Sequence, residues 1–170
     1  VRGGDPDFDE FVRERHDQLL RYAVMLTGRR VDAEEIVQEA LMRCLARWRL
    51  VRPDNKIAYA RKAVYHEFLR TVRNKPPVPV DELGEHVDVA DFTGSVVAHS
   101  HVLQMLQQLP ARQRAAVVCR VFGDMTEAQA AKALGCSVGT VKSLTSRGLA
   151  KIRSLWVAEE AAAPGRRGPK

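Results

Sequence analysis

The chain has 170 residues, 45% of them hydrophobic, enough for one domain or two small ones. Its net charge of +6 and isoelectric point near 9.5 suit a polyanionic partner. No apolar run is long enough to span a bilayer. Cys44, Cys119 and Cys136 are widely spaced without a CxxC, which argues against a disulfide framework and a zinc site. Cys44 and Cys119 fall on apolar faces and are expected in the core. The opening VRGGDPDFDE lacks the charged-then-apolar pattern of a secretion signal, so a cytoplasmic location is expected.

In chain order, residues 1–6 are expected to fray, and a first helix is predicted over Asp7 to Thr27. Phe8, Phe11, Val12, Leu19, Ala23 and Leu26 recur at three and four, and Gly28 ends the run. His16, in the gap of that pattern, has no second ligand and is expected to be an ordinary, partly exposed polar residue. Asp32 is predicted to open a second helix, with Glu35 as its capping partner. Ala33, Ile36, Val37, Ala40, Leu41, Cys44, Leu45 and Trp48 form its inward stripe, and Glu34, Glu35, Gln38, Glu39, Arg43 and Arg47 its polar side. By composition alone, that side is a solvated surface. Pro53 breaks the pattern.

A third helix is predicted over Lys56 to Arg73, with Ile57, Ala60, Val64, Phe68 and Val72 inward. Tyr59, Lys62, His66, Arg70 and Arg73 recur on another face. Two readings fit them: a nucleic-acid surface of backbone-binding cations and a stacking ring, or a solvated amphipathic helix. KPPVPV cannot be helical. Asp81, Glu82, Glu85, Asp88 and Asp91 follow without a Lys or Arg among them, so residues 76–95 are expected to be an acidic, flexible linker between basic units.

The second unit is placed at 96–157. Val102, Leu103, Leu106 and Leu109 form one apolar face. Pro110 is predicted to start the next helix, whose core is Val117, Val118, Val121 and Phe122. Asp124 to Arg153 reads as a helix-turn-helix. Thr126 and Gln129 make a capping box, Gly135 ends the first helix, and Ser137 caps the second. Val138, Val141, Leu149 and Ile152 are expected inward. Gly139, Thr140, Lys142, Ser143, Ser146 and Arg147 lie opposite, with no acid among them. Small, hydroxyl and cationic side chains suit entry into a major groove. Residues 158–170 are expected to be a disordered tail. No strand alternation counts, so the fold class is all-α: two small helical domains, 7–75 and 96–157. No nucleophile–base pair, metal-ligand cluster or Gly-rich phosphate loop is evident, so no enzyme, cofactor, metal or small-molecule substrate is expected.

Three stretches resemble a known family. DAEEIVQEALMRCLARW is similar to region 2.2 of bacterial extracytoplasmic-function (group IV) sigma factors. AYARKAVYHEFLRTVR occupies the place of regions 2.3 and 2.4. LPARQRAAVVCRVFGDMTEAQAAKALGCSVGTVKS resembles regions 4.1 and 4.2 almost throughout. Coverage is roughly residues 7 to 157, and the likeness is strongest to the short actinobacterial members. The resemblance implies core RNA polymerase and promoter DNA as partners, with an anti-sigma factor as a further partner known in the family. It makes Glu35, Gln38 and Glu39 polymerase contacts. It assigns Asn55, Lys56, Tyr59, Lys62, His66, Arg70 and Arg73 to a −10 element held as a single strand with a base flipped out. It assigns Ser137, Gly139, Thr140, Lys142, Ser143, Ser146 and Arg147 to the −35 duplex. The family often has Asn near His66, which bears on −10 base preference. The rival reading is a helix-turn-helix repressor or response-regulator output domain binding duplex DNA alone. The upstream unit lacks the βα alternation that a receiver requires.

Overall fold

The computed structural model describes residues 5–74 and 96–162, and every regular element within them is helical. In order these are α1 (Pro6–Thr27), α2 (Arg30–Leu45), α3 (Lys56–Asn74), α4 (Val96–Gln107), α5 (Ala111–Val117), α6 (Glu127–Leu134) and α7 (Val138–Ala162). Two 3-10 turns, Trp48–Leu50 and Pro53–Asn55, join α2 to α3. A π-helical segment, Val118–Phe122, continues α5. Residues 1–4 of the expected frayed start at 1–6, the acidic linker and the tail from 163 lie outside the described residues; Asp5 and Pro6 do not fray, since Asp5 caps α1 and Pro6 opens it, and α7 continues past 157 to Ala162.

Local chemistry accounts for most element ends. Asp5 caps α1 by accepting from the Asp7 N–H at 3.2 Å. Gly28 ends that helix at φ +79°, where its N–H reaches the Val24 carbonyl. One expectation is corrected here. The second helix begins at Arg30, not Asp32, and its N-cap, Arg29, makes no side-chain capping bond. The turn is closed earlier, by the Thr27 hydroxyl, which accepts from the Arg29 N–H at 3.3 Å. Asp32 then lies inside the first turn, where a carboxylate favours the helix dipole.

Helices α1, α2 and α3 pack mutually into one bundle, while α5, α6 and α7 form a second. Their buried residues join in one apolar cluster, because α1 also touches α4, α5 and the π segment, and α3 touches α6. Trp48 is fully enclosed, with Phe8 edge-on at 5.0 Å and Phe11 at 4.6 Å. Cys44 and Cys119 are buried, as expected of core thiols. Leu45, Val72, Val121, Val138 and Leu149 were expected inward and are exposed instead. Val72 stands on the last turn of α3 and Val138 on the first of α7, where neighbouring helices no longer cover a full stripe. The core also contains two charged residues, Arg61 and Glu67.

Candidate nucleic-acid interface

The helix-turn-helix rests on its caps. Thr126 Oγ1 accepts from the Gln129 N–H at 3.2 Å, and Gln129 Oε1 accepts from the Thr126 N–H at 2.8 Å. Gly135 turns the chain at φ +64°, with its N–H on the Ala131 carbonyl. Ser137 Oγ accepts from the Thr140 N–H at 3.1 Å and lies 2.9 Å from the Thr140 hydroxyl. Val141 is fully buried against α6, and Gly148 lets α7 press on α5: a Cβ there would lie 2.6 Å from Val117 Cγ2. These contacts turn the opposite face outward. Ser137, Gly139, Lys142, Ser143, Ser146 and Arg147 are exposed, and Thr140 is half-buried. From Val138 to Ala158 the helix carries no acidic residue. Lys142 meets Glu127 of α6 at 3.5 Å, both ends open to solvent, so this pair holds it weakly. Arg147 bonds only its own helix, through Nε to the Ser143 carbonyl at 3.3 Å.

The α3 residues are placed differently. Lys56 Nζ lies 2.7 Å from Asp7 Oδ1 and 5.1 Å above the Trp48 ring, whose Nε1 donates to Asp7 Oδ2 at 2.7 Å. The Lys56 bond, then that of Trp48, lowers the Asp7 carboxyl below its ordinary value. Lys56 thus pins the turn that presents the exposed Asn55. Arg70 Nε and Arg43 Nη1 each lie 2.8 Å from the buried Glu67 carboxylate, which ties α2 to α3. Arg73 bonds the Leu69 carbonyl at 3.3 Å. Tyr59, Lys62 and Asn55 line a cleft of about 550 Å³ with Arg47 and Arg52, closed on the far side by Gln129 and Lys132. His66 is exposed on the next turn. Partial burial, then the Lys62 charge, lowers its pKa below the ordinary 6.5.

On α2, Glu35 and Gln38 are exposed and Glu39 half-buried. Val31, Met42 and Leu45 are also exposed. Val31, Glu35, Gln38, Met42 and Leu45 follow at alternating steps of four and three, so they share one face. The sequence reading missed the apolar half of this face, though the same spacing marks it.

These two bundles match two family descriptions: "Sigma-70 region 2" over residues 11–76 and "Sigma-70, region 4" over residues 100–152. The chain is 36% identical over 159 residues to an RNA polymerase sigma-E factor of Streptomyces coelicolor, covering 91% of this chain and 88% of that one. The chain belongs to the sigma-70 family, among its extracytoplasmic-function members. It is 31% identical to the ECF RNA polymerase sigma factor SigM of Mycobacterium tuberculosis, covering 91% of this chain and 80% of the relative. In fold it resembles the sigma factor RpoE of Bartonella quintana, solved with the anti-sigma factor NepR. That likeness has a TM-score of 0.67 at 22% identity and covers 89% and 98% of the two chains. This sigma factor is a promoter-recognising transcription initiation factor that acts with RNA polymerase. Among the described residues no helix is long and apolar enough to cross a membrane.

Proposed function

We propose that the three exposed faces divide the work of initiation. The face of α2 centred on Glu35 and Gln38, with Glu39 at its edge and flanked by Val31, Met42 and Leu45, docks on core polymerase. The α3 face, with Asn55, Tyr59, Lys62 and His66, holds the −10 element as a single strand; Arg70 and Arg73 continue the same face, and Lys56 positions the turn. The first turns of α7 read the −35 duplex through Ser137, Gly139, Thr140, Lys142, Ser143, Ser146 and Arg147. The observation that carries this reading is the acid-free, outward face of α7, whose cations have only weak partners. Units 7–75 and 96–157 act as the two promoter-binding modules in the cytoplasm. An anti-sigma protein, as bound by the Bartonella chain, is the regulator expected for this one.

The test is duplex binding over single-base −35 variants at several salt concentrations. Lys142→Ala is expected to weaken all sequences alike and to lower the salt slope by roughly one unit. Ser143→Ala or Arg147→Ala is expected to cost about 1–3 kcal/mol on the preferred element and less on scrambled DNA. If none of the three alters affinity or sequence profile, α7 does not read the duplex.

A further inference from the structure

Residues 46–55 carry the chain from α2 to α3, and most of the stretch stands outward. Leu50 is 85% exposed, and Arg52, Pro53, Asp54 and Asn55 are exposed as well. The bonds within it are short in span. The Val51 N–H reaches the Trp48 carbonyl at 3.0 Å, the Asn55 N–H reaches the Arg52 carbonyl at 2.9 Å, and Arg52 meets Asp54 at 3.3 Å. Bonds of that kind shape each turn but do not set where the turns stand against the helices.

The first turns of α1 hold both ends of the stretch. Asp5 Oδ2 accepts from Arg49 Nε at 3.0 Å. The Asp7 carboxylate accepts from Trp48 Nε1 before the outward residues and from Lys56 Nζ after them, each at 2.7 Å. Phe8 and Phe11 close on the Trp48 ring, and Lys56 lies over its face. One carboxylate therefore bridges the loop from end to end.

This bridge is not a large source of stability. The Asp7 side chain is 59% exposed against 17% for Lys56, and an ion pair open to water on one side adds little. What it fixes is position. Lys56 closes the Pro53–Asn55 turn through its N–H on the Pro53 carbonyl, and it is also the first residue of α3. Asn55 on one side of it and Tyr59 on the other both line the cleft. A shift of Lys56 therefore moves Asn55 against Tyr59. Groups that select a base must be held to about 0.5 Å by the residues behind them.

Resting on the assignment of this turn and α3 to the −10 strand, we propose that Asp7 is a positioning residue for −10 base selection. Through Lys56 and Trp48 it sets where Asn55 stands against Tyr59. The sign of its charge makes the role separable from general electrostatics. Removing a carboxylate makes the chain more positive, which by itself tightens binding to every strand. A loss of discrimination runs against that background.

The test uses holoenzyme reconstituted from core polymerase and the full-length chain. Single-stranded oligonucleotides with a randomised −10 segment give the preferred sequence, and its single-base variants give the discrimination at each position. Asn55→Ala is expected to flatten one or two positions. Asp7→Asn keeps an oxygen for Trp48 but removes the charge that holds Lys56. It is expected to lower discrimination at those same positions by about tenfold, within the range that a well-placed base contact supplies. 2-Aminopurine at such a position is expected to lose emission, because the base is held out of the stack less often. The melting curve and −35 duplex binding are expected to match those of the parent chain. Lys56→Met is expected to flatten the same positions, and the double variant to be no worse than either single one, as for residues that act as a unit. Should Asp7→Asn lose helicity by circular dichroism, Lys56→Met decides by the same readout. An effect of Asp7→Asn that is equal on all sequences overturns the proposal, as does a double variant that loses the product of the two single effects. If Asn55→Ala leaves every position unchanged, the assignment of the turn to the −10 strand fails, and this proposal with it. If Asn55→Ala flattens a position that Asp7→Asn leaves intact, the positioning role alone is overturned.

Discussion

Helices α3 and α7 both present cations to nucleic acid, yet α3 fixes three of its cations on other groups, while its Arg73, like Arg147 of α7, bonds only its own helix. On α3, Lys56 is bonded to Asp7, Arg61 is buried on a backbone carbonyl, and Arg70 leans on Glu67. On α7, Lys142 has one solvent-exposed partner and Arg147 only its own backbone. The contrast fits the two substrates. A duplex offers a regular groove, so a convex helix with mobile cations can settle into it. A single strand has no fixed shape, so the protein must supply the geometry, and prepaid ion pairs hold the groups that shape the cleft. The face of α3 is thus part of the fold, whereas that of α7 is separable from it.

The largest effect expected from this contrast is on stability. Removing Arg43 and Arg70 together, as Arg43→Met with Arg70→Met, leaves the Glu67 carboxylate at 2% exposure without a cation. The loss is expected to be about 3 kcal/mol, measured by urea denaturation. Lys142→Ala and Arg147→Ala should each stay within about 0.5 kcal/mol of the parent chain. Equal stability across all of these variants would erase the distinction between the two faces.

A smaller effect sharpens the same contrast within α7. Gly148 is buried against Val117, and Gly139 is exposed with nothing nearer to an added Cβ than Ser137 Oγ at 3.9 Å. Gly148→Ala should destabilise the second unit by about 1–3 kcal/mol through overpacking. Gly139→Ala should stabilise it by up to about 1 kcal/mol through helix propensity while weakening −35 binding, because the methyl group stands on the DNA face. Thermal melts paired with duplex binding check both. A Gly139→Ala chain that binds as before would remove that residue from the interface.

How much of this was legible in the sequence depends on the range of the interactions. The helix-turn-helix was readable because its signals are local: Thr126 and Gln129 cap each other, Gly135 turns the chain, and Ser137 bonds three residues on. The start of α2 was misplaced because Thr27, outside the helix, closes the turn that Asp32 was expected to open. Arg61, Glu67 and Arg114 were missed for another reason. Their partners Gly123, Arg43 and Leu26 are distant in sequence, and periodicity reports only which face a residue occupies. A clue was present all the same. Arg61 lies four residues after Ile57 and three before Val64, so a cation occupies the inward phase of α3. A charge in that phase requires a buried partner, and the partner lies in the other unit.

The smallest effect concerns His66, where the rigid face meets a titratable group. Burial, followed by the Lys62 charge, lowers its pKa below the ordinary imidazole value, which favours the neutral ring in the free protein. Glu67, beside it in sequence, pulls the other way, and Arg73 adds to the lowering. A bound strand brings phosphates, which favour the charged imidazole and raise its pKa. Binding then takes up a proton, so strand affinity is expected to rise as pH falls through the interval between the bound and free values. The gain levels off once the free protein is protonated as well. His66→Asn keeps a hydrogen-bonding side chain but has no such proton, and its profile should be flat across that interval. The measurement is fluorescence anisotropy of a −10 oligonucleotide from pH 7.5 to 5.5 at fixed salt. The α7 face has no histidine, so −35 duplex binding by the same protein supplies the internal reference. A strand profile that parallels the duplex profile in the wild type would mean that His66 stays clear of the phosphates.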